Sequence, residues 1–518
     1  MKRACLGVAV VMVWLALVGV ATADDGPLRV IASGGSVRPM KNTSIRMAAE
    51  TVQAICYSRF AEYKVDFRFE NTSATTTTVL LGFPFRAPYY EPVVPPDRYF
   101  APGGFRAWQD GRPLAVALAH GHESGDNVDY YTHTAIFPPG ESTVTVDYLI
   151  SPEFGGGQEL SDFADQTDGL VTSTPPAYRN ELIGEGEYDY TLHSGSYWKG
   201  TIGLAVLRWT LSPDFIGWGI EQEAKYYSSE DTSDPDYEPD AEDLMYDRIQ
   251  SHYTTPTPRA YQWTIRDFEP ALNDDDTSPY DIGLLYLAPP LDSDPDTPNA
   301  YRLPSATASS HLTLAPYSYP AGNLVDGDPS SAWAEGAPGT GIGQWLDVTF
   351  PRTRQLRELR IVSGYAKRPE IFARYNRPKR LRFDFSDGTS RTITLADSPS
   401  LQRFPVSASA KKVRVTVLAV YRGTTRNETY ISEIDFGQAL APTFEDPGAL
   451  LASVRSVPSA DATPNTQAPP PSVATPAPAD GTRSATREPI PADPVSPIYL
   501  VVLAATLVGV TAVMWRQA

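Results

Sequence analysis

Cysteine is almost missing from this chain of 518 residues, with only two present, so no disulfide scaffold holds it together. Positive charge is scarce too. Acidic residues outnumber basic ones 62 to 43, for a formal net charge of −19. That removes nucleic acid as a bulk partner, because a phosphate backbone needs positive charge opposite it. Histidine is limited to six residues. The one cluster, His120-Gly121-His122-Glu123 with His133 beyond it, is set among Gly121, Gly125 and Asn127. It reads as a loop without the ligand spacing of a known metal site. No Gly-x-Ser-x-Gly elbow, His-Glu-x-x-His helix or phosphate loop occurs, and isolated acids are too plentiful for a glycosidase pair to stand out. Nothing therefore points to an enzyme. Helical periodicity is also lacking, and 48 prolines and 37 glycines oppose a mostly helical chain.

Long uncharged runs occur at the two ends. Lys2 and Arg3 precede an apolar run from Ala4 to Val20, and Ala21-Thr22-Ala23 supplies a small-residue cleavage site. Residues 1–23 are thus expected to be a secretory signal peptide. At the other end, 498–515 carries no charge, with Tyr499 and Trp515 near its limits. Eighteen residues rise roughly 27 Å as a helix, enough for a bilayer core. It is expected to be a single transmembrane helix with 516–518 as a cytoplasmic tail, placing the rest outside the cell membrane. Between 439 and 497 lies the expected stalk. Its part from Ser456 to Pro497 holds 11 prolines in 42 residues, a composition that stays extended rather than burying a core. Cys56, within an apolar strand-like run, is expected to be a buried thiol rather than a reactive one.

Residues 24–293 alternate with the period of strands. Val65, Phe67 and Phe69 share one face; so do Val144, Val146 and Tyr148, and again Ile202, Leu204 and Val206. Asp110-Gly111 is expected to turn a hairpin. These patterns predict an antiparallel all-β region of one or two sandwiches. Ser229 to Asp243 carries eight acidic residues and no basic one, and reads as a solvated loop without calcium-loop spacing. The pieces Ser44–Glu50, Val65–Asn71, Gly82-Phe83-Pro84, Ser196–Gly203, Trp263 and Phe268-Glu269-Pro270 resemble a family of exported bacterial domains without assigned function. That resemblance brings no activity.

In residues 300–438, strand runs follow one another: 345–350, 356–362, 380–385, 391–395, 412–420 and 431–436. Short strands with Gly, Pro and Asp turns predict a β-sandwich, so the whole chain is expected to be all-β. Asn323 to Ser331 crowds oxygens into a Gly-containing turn, which suits either a hard cation or a metal-free Asx turn. Pro351 to Arg382 holds eleven Lys or Arg against two Glu, a local charge of +9. Interleaved with Tyr365, Phe372 and Tyr375, this basic stretch suits an anionic sugar polymer, since aromatics pack on sugar faces and Arg forks carboxylates. The alternative is a solvated outer strand face. Trp333, just after the turn, serves equally as core plug or binding platform.

Asn323-Leu324-Val325-Asp326-Gly327-Asp328-Pro329-Ser330-Ser331-Ala332-Trp333, followed by Ser363-Gly364-Tyr365, Tyr375-Asn376-Arg377-Pro378, Tyr421-Arg422-Gly423 and Ile431-Ser432-Glu433-Ile434, resembles the discoidin or coagulation-factor type C family. Within it, the pattern is similar to the glycan-binding module attached to streptococcal NAD-glycohydrolase toxins. The resemblance implies a jelly roll, and a structural calcium held by Asn323, Asp326, Asp328, Ser331 and Glu433, Glu433 being matched by position. The basic, aromatic-bearing loop 364–376 and the residues beside it put Trp333, Tyr365, Lys367, Tyr375, Asn376 and Arg377 forward as glycan contacts, with Asn376 and Arg377, which belong to the family pattern, either structural or ligand-facing. The toxin's catalytic domain has no counterpart, so NAD cleavage is not implied.

Three functions fit these features. The first is a membrane-anchored, surface-displayed binding protein for a glycan or anionic envelope polymer. The second is a scaffold or sensor with a protein partner. The third is a wall-active enzyme with a catalytic N-terminal region. Oligomeric state is not legible.

Overall fold

The computed structural model describes residues 26–30, 37–86, 102–123, 126–159, 182–225, 253–268, 281–289 and 304–455. The expected signal peptide, acidic loop 229–243, Pro-rich stalk beyond 455, transmembrane segment 498–515 and tail 516–518 lie outside the described residues. Among the described residues, no helix is long and apolar enough to cross a membrane. Strands dominate throughout.

The N-terminal region builds three sheets around one core. The largest has eight strands in the order 253–257, 260–268, 202–211, 45–56, 61–71, 140–150, 103–109, 112–114. A four-stranded sheet (153–159, 182–191, 281–288, 218–225) and a five-stranded closed barrel (26–30, 37–39, 117–123, 126–137, 77–86) complete it. The alternation seen in sequence drives this: Val65, Phe67, Phe69, Val144 and Val146 are fully buried in that core with Trp198, Trp209 and Trp263. Burial of such side chains contributes roughly 1.5–3 kcal/mol each. Asp110 and Gly111 both take positive φ, 47° and 75°, as the hairpin between 103–109 and 112–114 requires. Cys56 is a free, buried thiol whose ionisation burial suppresses.

The structure corrects three expectations here. The sheet is not wholly antiparallel, because 202–211 runs parallel to 45–56. His120–Glu123 is strand, not loop: 117–123 pairs antiparallel with 126–137, and exposed His120 meets Asp129 across the ladder. Leu204 and Val206 face away from the main core; Ala205, Leu207 and Trp209 fill it instead. Alternation cannot tell the two faces apart when both are covered.

The cover comes from the chain's own C-terminal end. Residues 439–455, expected in the stalk, belong to the folded body. Asp446 caps a helix, Pro447–Arg455, accepting the Ala449 N–H at 2.8 Å, with Pro447 preset for the first turn. Its Leu450, Leu451 and Val454 bury against Ala49, Leu204 and Val206. Ahead of it, Gln53 and the Glu445 backbone exchange two hydrogen bonds, of 3.0 and 2.9 Å.

The C-terminal sandwich has seven strands, in the order 333–334, 430–437, 345–363, 401–421, 377–385, 390–394, with 305–308 also paired to 345–363. The expected runs 345–350 and 356–362 are one bent strand, Trp345–Ser363, whose register against 401–421 shifts between Thr349 and Arg354 and again between Leu356 and Glu358. Bulges let one long strand serve both layers. Leu381, Phe383, Val413, Val415 and Val417 point inward as their alternation implied.

The two regions share a seam. Ile55, Tyr57, Phe60 and Leu149 pack on Val362, Ala366 and Leu401. Arg360, 1% exposed, joins Glu358 at 2.7 Å, Asp435 at 2.7 Å and, from the N-terminal region, Asp214 at 3.2 Å. Its guanidinium lies 4.5 Å from the Tyr57 ring centroid. Arg403 pairs with Glu62 nearby.

Candidate functional site

The acidic turn follows a short 3-10 segment, Ala321–Leu324, and reverses at Gly327, whose φ is +78°. Asp326 Oδ1 accepts the Asp328 N–H at 3.0 Å, and its Oδ2 accepts the Ser331 hydroxyl at 2.9 Å. The Ser331 Oγ also stands 3.3 Å from the Asn323 carbonyl oxygen. Glu433, on the strand 430–437 and 2% exposed, accepts the Gly327 N–H at 2.9 Å. Four of the sequence-predicted positions thus converge: the Asn323 carbonyl, Asp326, Ser331 and Glu433. Asp328 does not join with its carboxylate, which accepts the Ser330 N–H and hydroxyl at 2.8 and 2.7 Å. The Asn323 amide is also engaged, donating to the Ala332 carbonyl at 3.0 Å.

Burial dominates the electrostatics of the turn, opposed in part by Arg59 of the N-terminal region. Burial, with the Asp328 carboxylate adding to it, pushes Asp326 up to about 7. Burial first and Asp326 second push Glu433 well above the ordinary carboxylate range. Hard oxygen donors from carbonyl, hydroxyl and carboxylate fit calcium chemistry. Among the described residues, no three His, Cys, Asp or Glu side chains stand together as a metal-holding group, so a cation here would take much of its coordination from backbone and hydroxyl oxygens.

The predicted glycan contacts fare differently. Trp333 is fully buried in the sandwich core, its indole N–H donating to the Ser310 carbonyl at 3.1 Å. It is a plug, because the turn delivers it inward. Lys367 is 3% exposed and lies under the N-terminal region: Tyr131 donates to its carbonyl at 2.8 Å, and Gly104 donates to the Ala366 carbonyl at 2.7 Å. Asn376 is a buried brace, accepting the Gly423 N–H at 2.8 Å and donating its amide to the Asn427 carbonyl. Arg377 is buried and forks Asp397 at 2.8 and 2.7 Å, its guanidinium over the Phe372 ring. The local +9 stretch is thus not an open basic patch at these positions. Arg360 and Arg377 are neutralised by Asp214, Asp397 and Asp435, which a local charge count cannot see.

Tyr365 and Tyr375 belong to a tyrosine cluster. Tyr365 stacks on Tyr430 with rings 5.3 Å apart and 1° from parallel, Tyr375 lies 4.4 Å from Tyr430, and Tyr319 meets Tyr430 edge-on at 5.2 Å. Tyr365 and Tyr430 are buried; Tyr375, Tyr317, Ile371 and Leu312 stay half-exposed around them. Beneath the rim, the Tyr430 hydroxyl and one Glu428 carboxylate oxygen are buried without a hydrogen-bond partner, an arrangement that costs free energy unless something satisfies them. Sequence reasoning missed Tyr317, Tyr319, Glu428 and Tyr430. Tyr430 was visible only as the residue before a predicted strand.

Several solved structures resemble parts of this chain at low identity. A candidate nutrient-binding protein from Legionella pneumophila is 15% identical over 52% of this chain and 71% of its own, with a TM-score of 0.32. The family 32 carbohydrate-binding module of Clostridium perfringens NanJ, solved with galactose, is 16% identical over 25% of this chain and 90% of its own, TM-score 0.21. A Streptococcus pneumoniae fucose-binding module is 11% identical over 26% and 91%, TM-score 0.20. No curated protein matches. No family model spans half of the chain, but residues 300–437 match that of the NAD glycohydrolase translocation F5/8 type C domain, so the C-terminal sandwich resembles modules of that discoidin-like family.

Proposed function

We propose that this protein is a cell-surface glycan-binding protein, exported through residues 1–23, anchored through 498–515, and acting without catalysis. The single observation that carries the reading is the half-exposed tyrosine rim of a discoidin-type module, Tyr375 and Tyr317 among its members, with unsatisfied polar atoms of Tyr430 and Glu428 close by. Aromatic faces pack on the C–H faces of sugars, and buried acceptors reward a ligand rich in hydroxyl donors. The same chemistry favours a neutral or amino sugar over the anionic polymer that the local charge count suggested. Calcium at the Asp326 turn is part of this proposal, as a brace of the loop and not a reagent: Asn323, Asp326, Ser331 and Glu433 would hold it. The N-terminal region serves as the module's mount.

A glycan array probed with the full-length protein tests this. Binding above background is expected, and Tyr375→Ala should weaken it at least roughly tenfold, the range for loss of a stacked aromatic anchor. An array blank both with calcium and with a chelator would overturn the reading. Release of fragments from wall polysaccharide by the same protein would replace binding with catalysis.

A further inference from the structure

The acidic turn does not face open solvent; the N-terminal region reaches it. Ser151 donates its hydroxyl to the Gly327 carbonyl at 3.1 Å. Arg59, in the turn between strands 45–56 and 61–71, lies flat against Gly327. A Cβ added there would stand 2.4 Å from Arg59 Cβ and 2.6 Å from its Nε. The closeness of Arg59, as much as the backbone angle, therefore requires a glycine at this position. Beyond the contact, Arg59 and Gly327 line a crevice together with Glu433, Asp435 and Arg354. Arg59 Nε and Nη1 are buried there and find no hydrogen-bond partner. A guanidinium stays charged in any protein setting, so a buried one of this kind is held by the field of its surroundings. Asp435 is committed to Arg360 at 2.7 Å. The carboxylates left for Arg59 are those of the turn, Glu433 and Asp326.

We propose that Arg59 is an internal counter-cation of the acidic turn, supplying from the N-terminal region the positive charge that a calcium ion would otherwise bring. The inference rests on the reading of the turn as a cation site. It goes beyond that reading by making calcium affinity depend on a residue of the other region. Docking of the two regions and calcium binding then oppose each other at this point, so calcium braces the turn of the intact protein with an affinity that Arg59 lowers. A unit charge this close to a divalent ion, at the effective dielectric of a protein margin, changes ion affinity by about a power of ten or more.

The test uses the full chain, with calcium alone as the probe, titrated calorimetrically and followed by thermal melts in chelator and in calcium. Arg59→Gln should bind calcium roughly tenfold or more tighter than the parent and gain more in melting temperature on calcium addition. Arg59→Lys, which restores the charge, should behave as the parent. A second comparison guards against a merely damaged seam. Adding Glu433→Gln to Arg59→Gln removes the uncompensated carboxylate, so the double variant should melt above the single one in chelator. Equal calcium affinity in parent and Arg59→Gln would overturn the role of Arg59 and leave the cation site standing. Absence of calcium binding in the parent, Arg59→Gln and Arg59→Lys alike would sink both. A double variant no more stable than Arg59→Gln would also refute the charge-balance argument.

Discussion

At the scale of single residues, charge partners decide what a polar side chain does. Asp347 shows it on the outer face of the C-terminal sandwich. Arg414 forks it at 2.7 Å on both oxygens, Lys412 stands at 2.8 Å, and the Arg414 guanidinium lies 4.0 Å from the Trp345 ring centroid. The hydrogen bonds from Arg414 lead the causes that hold Asp347 at about 2, below the ordinary 3.8. A depressed carboxylate contributes stability above its unfolded value and loses it as the pH falls through the folded one. Asp347→Asn should therefore cost about 1 kcal/mol near neutrality, a small figure because Arg414 and Lys412 are half in water. The gap from the parent should close as the pH drops from about 4 to about 2. Urea melts across that range check it, and a gap unchanged at the acid end would rule out the ion pair as its source. The same scale shows what sequence could read. Tyr375 was legible as a candidate contact, because it stands in a basic stretch interleaved with aromatics, and it stays half-exposed. Trp333, Asn376 and Arg377 were not legible as plug and braces: their partners Ser310, Gly423 and Asp397 lie up to 47 residues away.

At the scale of elements, strand periodicity was readable wherever one face meets the core and the other meets water, as in 61–71 and 377–385. It failed where both faces are covered. Leu204 and Val206 look like core residues and are, but their core is the layer beneath the helix Pro447–Arg455. Two signals for that helix stood in the sequence, Asp446 as cap and Pro447 behind it, in a segment otherwise taken for stalk. The helix owes its order to packing, since nine residues are too few for stable helicity in water. Leu450→Ala should accordingly destabilise the body by about 2–4 kcal/mol, the cost of emptying a buried leucine site. Limited proteolysis should then cut within 439–455 before any other described segment. Unchanged protection of that stretch would mean the helix is not fastened by its leucines.

At the scale of the whole molecule, the seam makes one body of what composition presents as two regions. Arg360 is its charged bolt, surrounded by Glu358, Asp435 and Asp214 and roofed by Tyr57. Removing one partner of a buried network leaves the others desolvated and uncompensated, at a cost of roughly 3–5 kcal/mol. Arg360→Ala should thus lower stability by that amount. The parent should melt in a single calorimetric transition and the variant in two, as the N-terminal region and the sandwich lose their coupling. One transition, merely shifted, would place the coupling elsewhere. The seam also explains why Lys367 is unavailable to ligand: docking of Gly104 and Tyr131 on its loop buries it. Of the predicted contacts, only Tyr375 stays half-exposed, on the tyrosine rim.

The amino-acid sequence by itself determined the all-β class, the inward faces of most strands, the hairpin at Asp110-Gly111 and the acidic turn, because each depends on residues within a few positions of one another. Tertiary structure alone decided which cations are paired, which aromatics are reachable and that 439–455 packs on the folded body. Those outcomes depend on carboxylates, glycines and apolar faces brought from distant parts of the chain, and electrostatics and burial act through space, not along the backbone.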